Sequence, residues 1–215
     1  MDGVNMDDMN NTAHFWNKVS LLYQEKFMDL DIYNSSYDQF VDLVAKPKAR
    51  ILDIGCGPGN ITKYLLKKRP DFYVEGIDIA PNMVALAKVN NPEAGFTVLD
   101  SRQIKEFNTR FDGIICGFCL PYLSQEERLL FIEDIFHLLA QEGVFYLSFV
   151  EGDPRNSGYK VGSSGDSIYF NYHTLDSILK QLEDIGFMHT LIEKVVYKRS
   201  MEESERHTIV IARKP

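Results

Sequence analysis

Residues 51–60 read Ile51-Leu52-Asp53-Ile54-Gly55-Cys56-Gly57-Pro58-Gly59-Asn60, an apolar run carrying one acid and followed by glycine at every second position. The apolar run suits a buried strand. Three glycines permit backbone turns and close ligand approach that a side chain would block. A helix beginning near Asn60 follows, which completes the strand–glycine loop–helix layout that cradles a polar or anionic cofactor. Spacing separates the cofactor types. A dinucleotide loop runs G-x-G-x-x-G, and its third glycine would fall at position 60, where this chain has Asn60.

Bulk composition narrows the classes further. With 215 residues and 45% hydrophobic content, the chain can bury the core of one α/β domain. No run of about 18 apolar residues occurs, so no membrane span is expected. Met1 to Asn11 is acidic and polar and lacks the layout of a secretory signal. Three cysteines form an odd and sparse set that points to a reducing compartment. Cys116 and Cys119 make a C-x-x-C without a second ligand pair, so they read as small apolar residues at a strand end and no metal is expected. A formal charge of −8 disfavours a nucleic acid partner, since phosphate binding needs a basic face. The expectation is a soluble, cytoplasmic, single-domain protein.

Outward from the glycine loop, strands and helices alternate, the pattern of a parallel sheet covered on both faces. Strands are predicted over Arg50–Ile54, Phe72–Asp78, Phe96–Leu99, Phe111–Gly117 and Val144–Val150. Pro81 opens a helix that Asn90, Asn91 and Pro92 stop. Ser124 and Glu127 form a capping box for a helix that Gly143 would end. Thr174 caps another helix, closed by Gly186. Two last β segments, Thr190–Lys198 and His207–Arg213, should pair as an antiparallel hairpin. Before Arg50 lies a helical lead. Phe15, Val19 and Leu22 share a face of one helix there, and Phe40, Val41 and Val44 mark a second.

The G-x-G-x-G loop after Asp53, with Asp78 and Asp100 at or near the ends of the next two strands, resembles the class I S-adenosylmethionine-dependent methyltransferase family. The resemblance covers Arg50 to Pro215. It implies a doubly wound, mostly parallel seven-stranded sheet of order 3-2-1-4-5-7-6 with the seventh strand antiparallel. Residues 1–48 then form a helical cap over a Rossmann-like core, 49–215, within one domain of 1–215. It also implies S-adenosylmethionine as cofactor. Asp53, Gly55, Cys56, Gly57, Gly59 and Asn60 would form its loop. Asp78 would take both ribose hydroxyls, with Ile79 and Met83 on the adenine face. Asp100 would accept from the adenine amino group, and Ser101 would supply a backbone amide. Gly117 and Phe118 would pass beside the sulfonium, and Tyr23 resembles a cap tyrosine that touches the cofactor.

After the fourth predicted strand the chain reads Gly117-Phe118-Cys119-Leu120-Pro121-Tyr122 and lacks the Asn/Asp-Pro-Pro-aromatic clamp of amino-methylating relatives that act on bases and glutamine. This departure points to a small-molecule acceptor, methylated on oxygen, nitrogen or carbon. His173, after the fifth strand and just before a helix, is the candidate general base. The glycine-bearing segment from Glu151 to Ser167 reads as a mobile loop over the acceptor. Two alternatives stay open: aminopropyl transfer on the same fold, and a cofactor-binding regulatory protein without turnover.

Overall fold

The computed structural model describes residues 6–162, 165–198 and 204–215, without the side chains of residues 6–10 and 189. Two helices lead, α1 (Met6–Phe27) and α2 (Asn34–Leu43). Then come β1 (Arg50–Ile54), α3 (Asn60–Lys68), β2 (Tyr73–Asp78), α4 (Pro81–Asn90), β3 (Gly95–Val98) and β4 (Phe111–Gly117). After them the chain forms α5 (Gln125–Leu138), β5 (Leu139–Val150), a small ribbon of β6 (Gly158–Val161) and β7 (Ser167–Phe170), and α6 (Leu175–Ile185). It closes with β8 (Met188–Lys198) and β9 (Ser204–Arg213).

The main sheet has the order β3-β2-β1-β4-β5-β9-β8. Neighbours from β3 to β5 are parallel, whereas β9 runs antiparallel to both β5 and β8. With the ribbon set aside this is 3-2-1-4-5-7-6, as the resemblance implies. The period of two in each strand divides the core. Leu52, Ile54, Ile114, Cys116, Phe145 and Leu147 face α5 and α6. Ile51, Ile115, Tyr146, Ile209 and Ile211 face Phe40 and Val41 of α2 and Leu65 of α3. The loops at the carboxyl ends of β1, β2, β3 and β4 therefore collect on one edge, where α1 crosses them.

Three expectations need correction. Gly143 does not end α5, because the helix stops at Leu138 and Leu139 already pairs with Phe111. Lys214 Nζ donates to the carbonyls of Phe136 at 2.7 Å and Leu139 at 2.9 Å, so a lysine ammonium serves helix-end acceptors without a glycine. The 151–167 segment is not a mobile loop over the site: its described part includes a short turn at Pro154–Asn156 and the ribbon strand β6, paired with β7. Ile168 of β7 packs on Phe15 and Val19, and Lys18 bonds Asp166 at 2.6 Å. Leu22, finally, is 51% exposed, because the inward face of α1 runs instead through Thr12, Trp16, Tyr23 and Phe27.

Gly113 shows how closely α2 meets the sheet. A Cβ there would lie 2.7 Å from Phe40 Cζ, 3.0 Å from Ile51 Cδ1 and 3.1 Å from Val44 Cγ2. Gly113→Ala should therefore destabilise the protein by about 1–3 kcal/mol through overpacking, read as a lowered melting temperature. An unchanged melting temperature would show that α2 yields at no cost.

Candidate active site

The glycine loop is shaped by backbone angles that side chains disfavour. Gly55, Gly57 and Gly59 have φ of 67°, 53° and 83°. A Cβ on Gly55 would sit 3.3 Å from Cys119 Cβ, and one on Gly57 would sit 3.6 Å from Tyr23 Cε1. The loop is thus held between the β4 exit and α1. Asn60 opens α3, and no side chain caps that helix start.

Three acids surround the loop in different states. Asp53 is fully buried. Its Oδ2 accepts from the Thr62 hydroxyl at 2.6 Å, while its Oδ1 has no partner. Burial pushes its carboxyl up to about 7 and the Asp78 charge adds to this, against the opposing Thr62 bond. Asp78 accepts from the Gly57 amide at 2.9 Å and the Ala80 amide at 2.8 Å, and burial raises its pKa as well. Each of its oxygens keeps a second lone pair for a ligand hydroxyl. Asp100 caps the turn Ser101–Glu106 and is gripped by Arg102, whose Nη1 lies 3.1 and 3.0 Å from its two oxygens. Arg102 also donates to Glu127 at 2.6 Å and to the Tyr122 carbonyl at 2.8 Å.

Above these groups lies a cavity of about 280 Å³. Gly55, Gly57, Asn60 and Asp78 line its loop side; Ile79, Met83, Asp100 and Ser101 line the wall beyond β2 and β3. Gly117 and Phe118 close the β4 side. Phe118 has a positive φ of 58°, uncommon for a bulky residue, and its amide donates to the Ser148 carbonyl at 3.0 Å. The roof is aromatic. Trp16 meets Tyr23 edge-on at 5.4 Å and Tyr122 at 5.6 Å, and Tyr23 packs on Phe27 at 4.5 Å. Burial, then the Asp78 charge, raises the pKa of Tyr23, which stays a neutral hydroxyl.

Four expected residues do not line the cavity. Asp53 lies beneath the loop, and Gly59 is the left-handed residue that starts α3. Cys56 turns its side chain into a cluster with Val84, Ala87 and Phe96, away from any ligand. His173 is also corrected. A bridge to Glu151 and a 3.2 Å contact from Nε2 to the Leu120 carbonyl hold it in the interior. Burial, assisted by the Arg128 charge, lowers its pKa to about 4. A different histidine, His207 on β9, lines the cavity instead, together with Tyr33, Tyr197 and Glu205. The period-two run Glu205, His207, Ile209, Ile211 was the available signal, since it puts the two polar groups on the face of a buried stripe.

This geometry meets known proteins at two levels. Residues 51–143 match the methyltransferase domain family model. Trans-aconitate 2-methyltransferase of an Enterobacter species is 47% identical over 94 residues, 44% of this chain and 36% of that protein. Malonyl-[acyl-carrier protein] O-methyltransferase of Acetivibrio thermocellus is 40% identical over 86 residues, 39% of this chain and 30% of that protein. The chain thus spans less than half the length of these curated relatives. The 1,6-didemethyltoxoflavin-N1-methyltransferase of Burkholderia thailandensis, solved with 1,6-didemethyltoxoflavin and S-adenosylhomocysteine, superposes with a TM-score of 0.73 at 18% identity, covering 99% of this chain and 91% of that one. Magnesium protoporphyrin IX methyltransferase of Synechocystis, solved with S-adenosylmethionine, gives 0.69 at 18% identity over 100% of both chains. Residues 51–143 thus match a methyltransferase domain, and the chain has the fold of solved S-adenosylmethionine-dependent methyltransferases.

The state of Asp53 has a measurable consequence. Its folded pKa exceeds its unfolded one, so the folded state holds the proton more tightly. Stability therefore falls as pH rises from about 4 to about 7 and is level beyond. Asp53→Asn should stabilise the ligand-free protein by about 1–3 kcal/mol more at pH 8 than at pH 4. Equal melting shifts at both pH values would contradict this assignment.

Proposed function

We propose that this chain transfers the methyl group of S-adenosylmethionine to an oxygen, nitrogen or carbon atom of a small molecule. The observation that carries the reading is Asp78, which lines the cavity beside the glycine loop, is tied to it by the Gly57 amide and keeps a second lone pair on each oxygen, with buried Asp53 and its one orphaned oxygen beneath the same loop. An unpaired buried carboxylate is costly unless a positive group or donor reaches it, and the amino group of this cofactor is such a donor. The chemistry of the other donors fits too. In this reading Asp78 would take the ribose hydroxyls, Ile79 and Met83 the adenine face, and Asp100 with the Ser101 backbone the ring edge, which is supported by their common lining of the cavity. Gly117 and Phe118 are the residues assigned beside the sulfonium.

When bound, S-adenosylmethionine supplies an electrophilic methyl on a sulfonium whose sulfur leaves neutral. The protein's part is to align, enclose and, for a protonated acceptor, remove a proton. In this reading the described part of the lead, residues 6–48, would act as a cap, with Trp16, Tyr23 and Phe27 excluding water from the reacting atoms. The aromatic chamber beyond Phe118, bounded by Tyr33, Tyr122, Phe170 and Tyr197, suits a planar acceptor. Aminopropyl transfer is less well supported, because Gly117–Tyr122 carries no acid. A small molecule in place of a nucleic acid, and a reducing, cytoplasmic setting, belong to the same proposal, supported by the −8 charge and three free cysteines. Among the described residues no helix is long and apolar enough to cross a membrane.

Titration calorimetry tests the cofactor. S-adenosylmethionine and S-adenosylhomocysteine should bind with micromolar-range affinity and NAD should not. Asp78→Ala should weaken binding by about 2–4 kcal/mol, because a charged acceptor is lost and the Gly57 amide is released. Tight NAD binding with no response to either sulfur compound would overturn the reading.

A further inference from the structure

We infer that Tyr33, His207 and Glu205 form a proton-accepting relay in the acceptor chamber, which makes the acceptor a molecule with a removable proton, of the phenol or enol type. This rests on the methyltransferase reading and adds to it a base, at a place the glycine loop does not touch. Tyr33 Oη lies 2.6 Å from His207 Nδ1, and His207 Nε2 lies 3.4 Å from Glu205 Oε2. All three residues line the cavity.

Each member comes from a different constraint. Glu205 and His207 alternate on β9, so both point to the face that carries Ile209 and Ile211. Tyr33 sits at the start of α2, where its carbonyl accepts from the Ser36 hydroxyl at 2.7 Å and fixes the ring's base. The imidazole lies between two phenol rings: its plane is 16° from Tyr33 at 6.0 Å and 16° from Tyr197 at 5.2 Å. Phe118 meets its edge at 4.7 Å. A ring held on three sides in this way has one orientation, with one nitrogen toward Tyr33 and the other toward Glu205.

That orientation assigns the hydrogens. Glu205 accepts from Nε2–H, which leaves Nδ1 as the acceptor of the Tyr33 hydroxyl hydrogen. The lone pairs of Tyr33 Oη then receive a proton from a ligand. In the transfer, the acceptor's O–H bond breaks and its proton joins Tyr33 Oη as the hydrogen already on Oη passes to His207 Nδ1. The acceptor oxygen keeps the electron pair, and the imidazolium formed faces the Glu205 carboxylate. Tyr33 ends as it began, so its own pKa, raised by burial, is no barrier. Tyr33 is the catalytic contact, His207 holds the proton, and Glu205 is a positioning residue.

The other ionisable groups around the relay do not replace it. Tyr23 and Tyr146 reach Tyr33 electrostatically as neutral phenols. Lys26 Nζ stands 5.8 Å from the Tyr197 ring and 5.2 Å from Phe27, a cation placed to favour a ligand anion. Lys194 is bonded to Glu151 at 3.0 Å, next along the sheet.

The test uses 4-nitrophenol, whose phenolate absorbs visibly, added to protein saturated with S-adenosylhomocysteine at a pH where free phenol is mostly neutral. The parent should hold bound nitrophenol with a phenolate-to-phenol ratio roughly tenfold above that in solution, a one-unit pKa shift. Tyr33→Phe, which keeps the ring packing, and His207→Gln should each abolish the excess, and Glu205→Gln should reduce it. Calorimetry on each variant must show unchanged S-adenosylhomocysteine binding. Neutral phenol bound by the parent, no bound phenol, or equal phenolate in parent and Tyr33→Phe would overturn the relay. If S-adenosylhomocysteine itself fails to bind the parent, the methyltransferase reading fails first.

Discussion

The contact from the Gly57 amide to the Asp78 carboxylate ties together the two central strand ends on which the site depends. Gly57 belongs to the loop after β1, and Asp78 is the last residue of β2. A second bond, from the Ala80 amide, carries the same carboxylate to the start of α4. Loop, strand end and helix start are therefore fixed by one side chain. A neutral residue there would leave two amides without their acceptor, and the left-handed loop would lose the contact that holds it open to the cavity. The strand register of β1 on β2, Ile54 against Ile77, makes the contact possible by ending the two strands together.

A second hub does for the far wall what Asp78 does for the loop. Arg102 holds Asp100 at the β3 end, Glu127 in the first turn of α5, and the Tyr122 carbonyl after β4. Glu127 is at the same time the third residue of α5 and closes the capping box begun by Ser124. Its carboxylate thus accepts from the Ser124 amide at 2.7 Å as well as from Arg102. A charge-assisted network with each member bonded to backbone has one arrangement, and it holds Tyr122 where its ring can meet Trp16 of the cap. Helix α1 is thereby packed against residues that also order the far wall of the cavity.

Much of the fold was legible because each local rule agreed with its neighbours. The five parallel strands were read from apolar runs and the helices from their caps; Ser124–Glu127, Thr174 and Gly186 do in the structure what their types suggest. The end of α5 was misread because its partner, Lys214, is 75 to 78 residues away and invisible to local rules. The ribbon was missed because β6 and β7 are short and gain their burial from Phe15 and Val19 on α1. In the site, the glycines and acids were legible from spacing. The roof of Trp16, Tyr23 and Tyr122 and the burial of His173 follow from tertiary packing that no spacing rule encodes, whereas the side on which His207 lies was open to the period of two along β9.

The electrostatics and the cap belong to one design. Asp53 and Asp78 each resist ionisation through burial, and the charge of Asp78 raises Asp53 further. The site thus carries two acids whose ionised forms burial disfavours, Asp78 with two amide donors and Asp53 with an oxygen that has no hydrogen-bond partner. A cationic ligand gains most where that deficit is largest, and the gain grows as water is excluded, because the effective dielectric falls. The aromatic roof of α1 supplies the exclusion without adding charge of its own, apart from Lys26 at its outer end. Positive charge is therefore favoured near Asp53 and Asp78, while Lys26 stands 5.8 Å from the Tyr197 ring that stacks on His207.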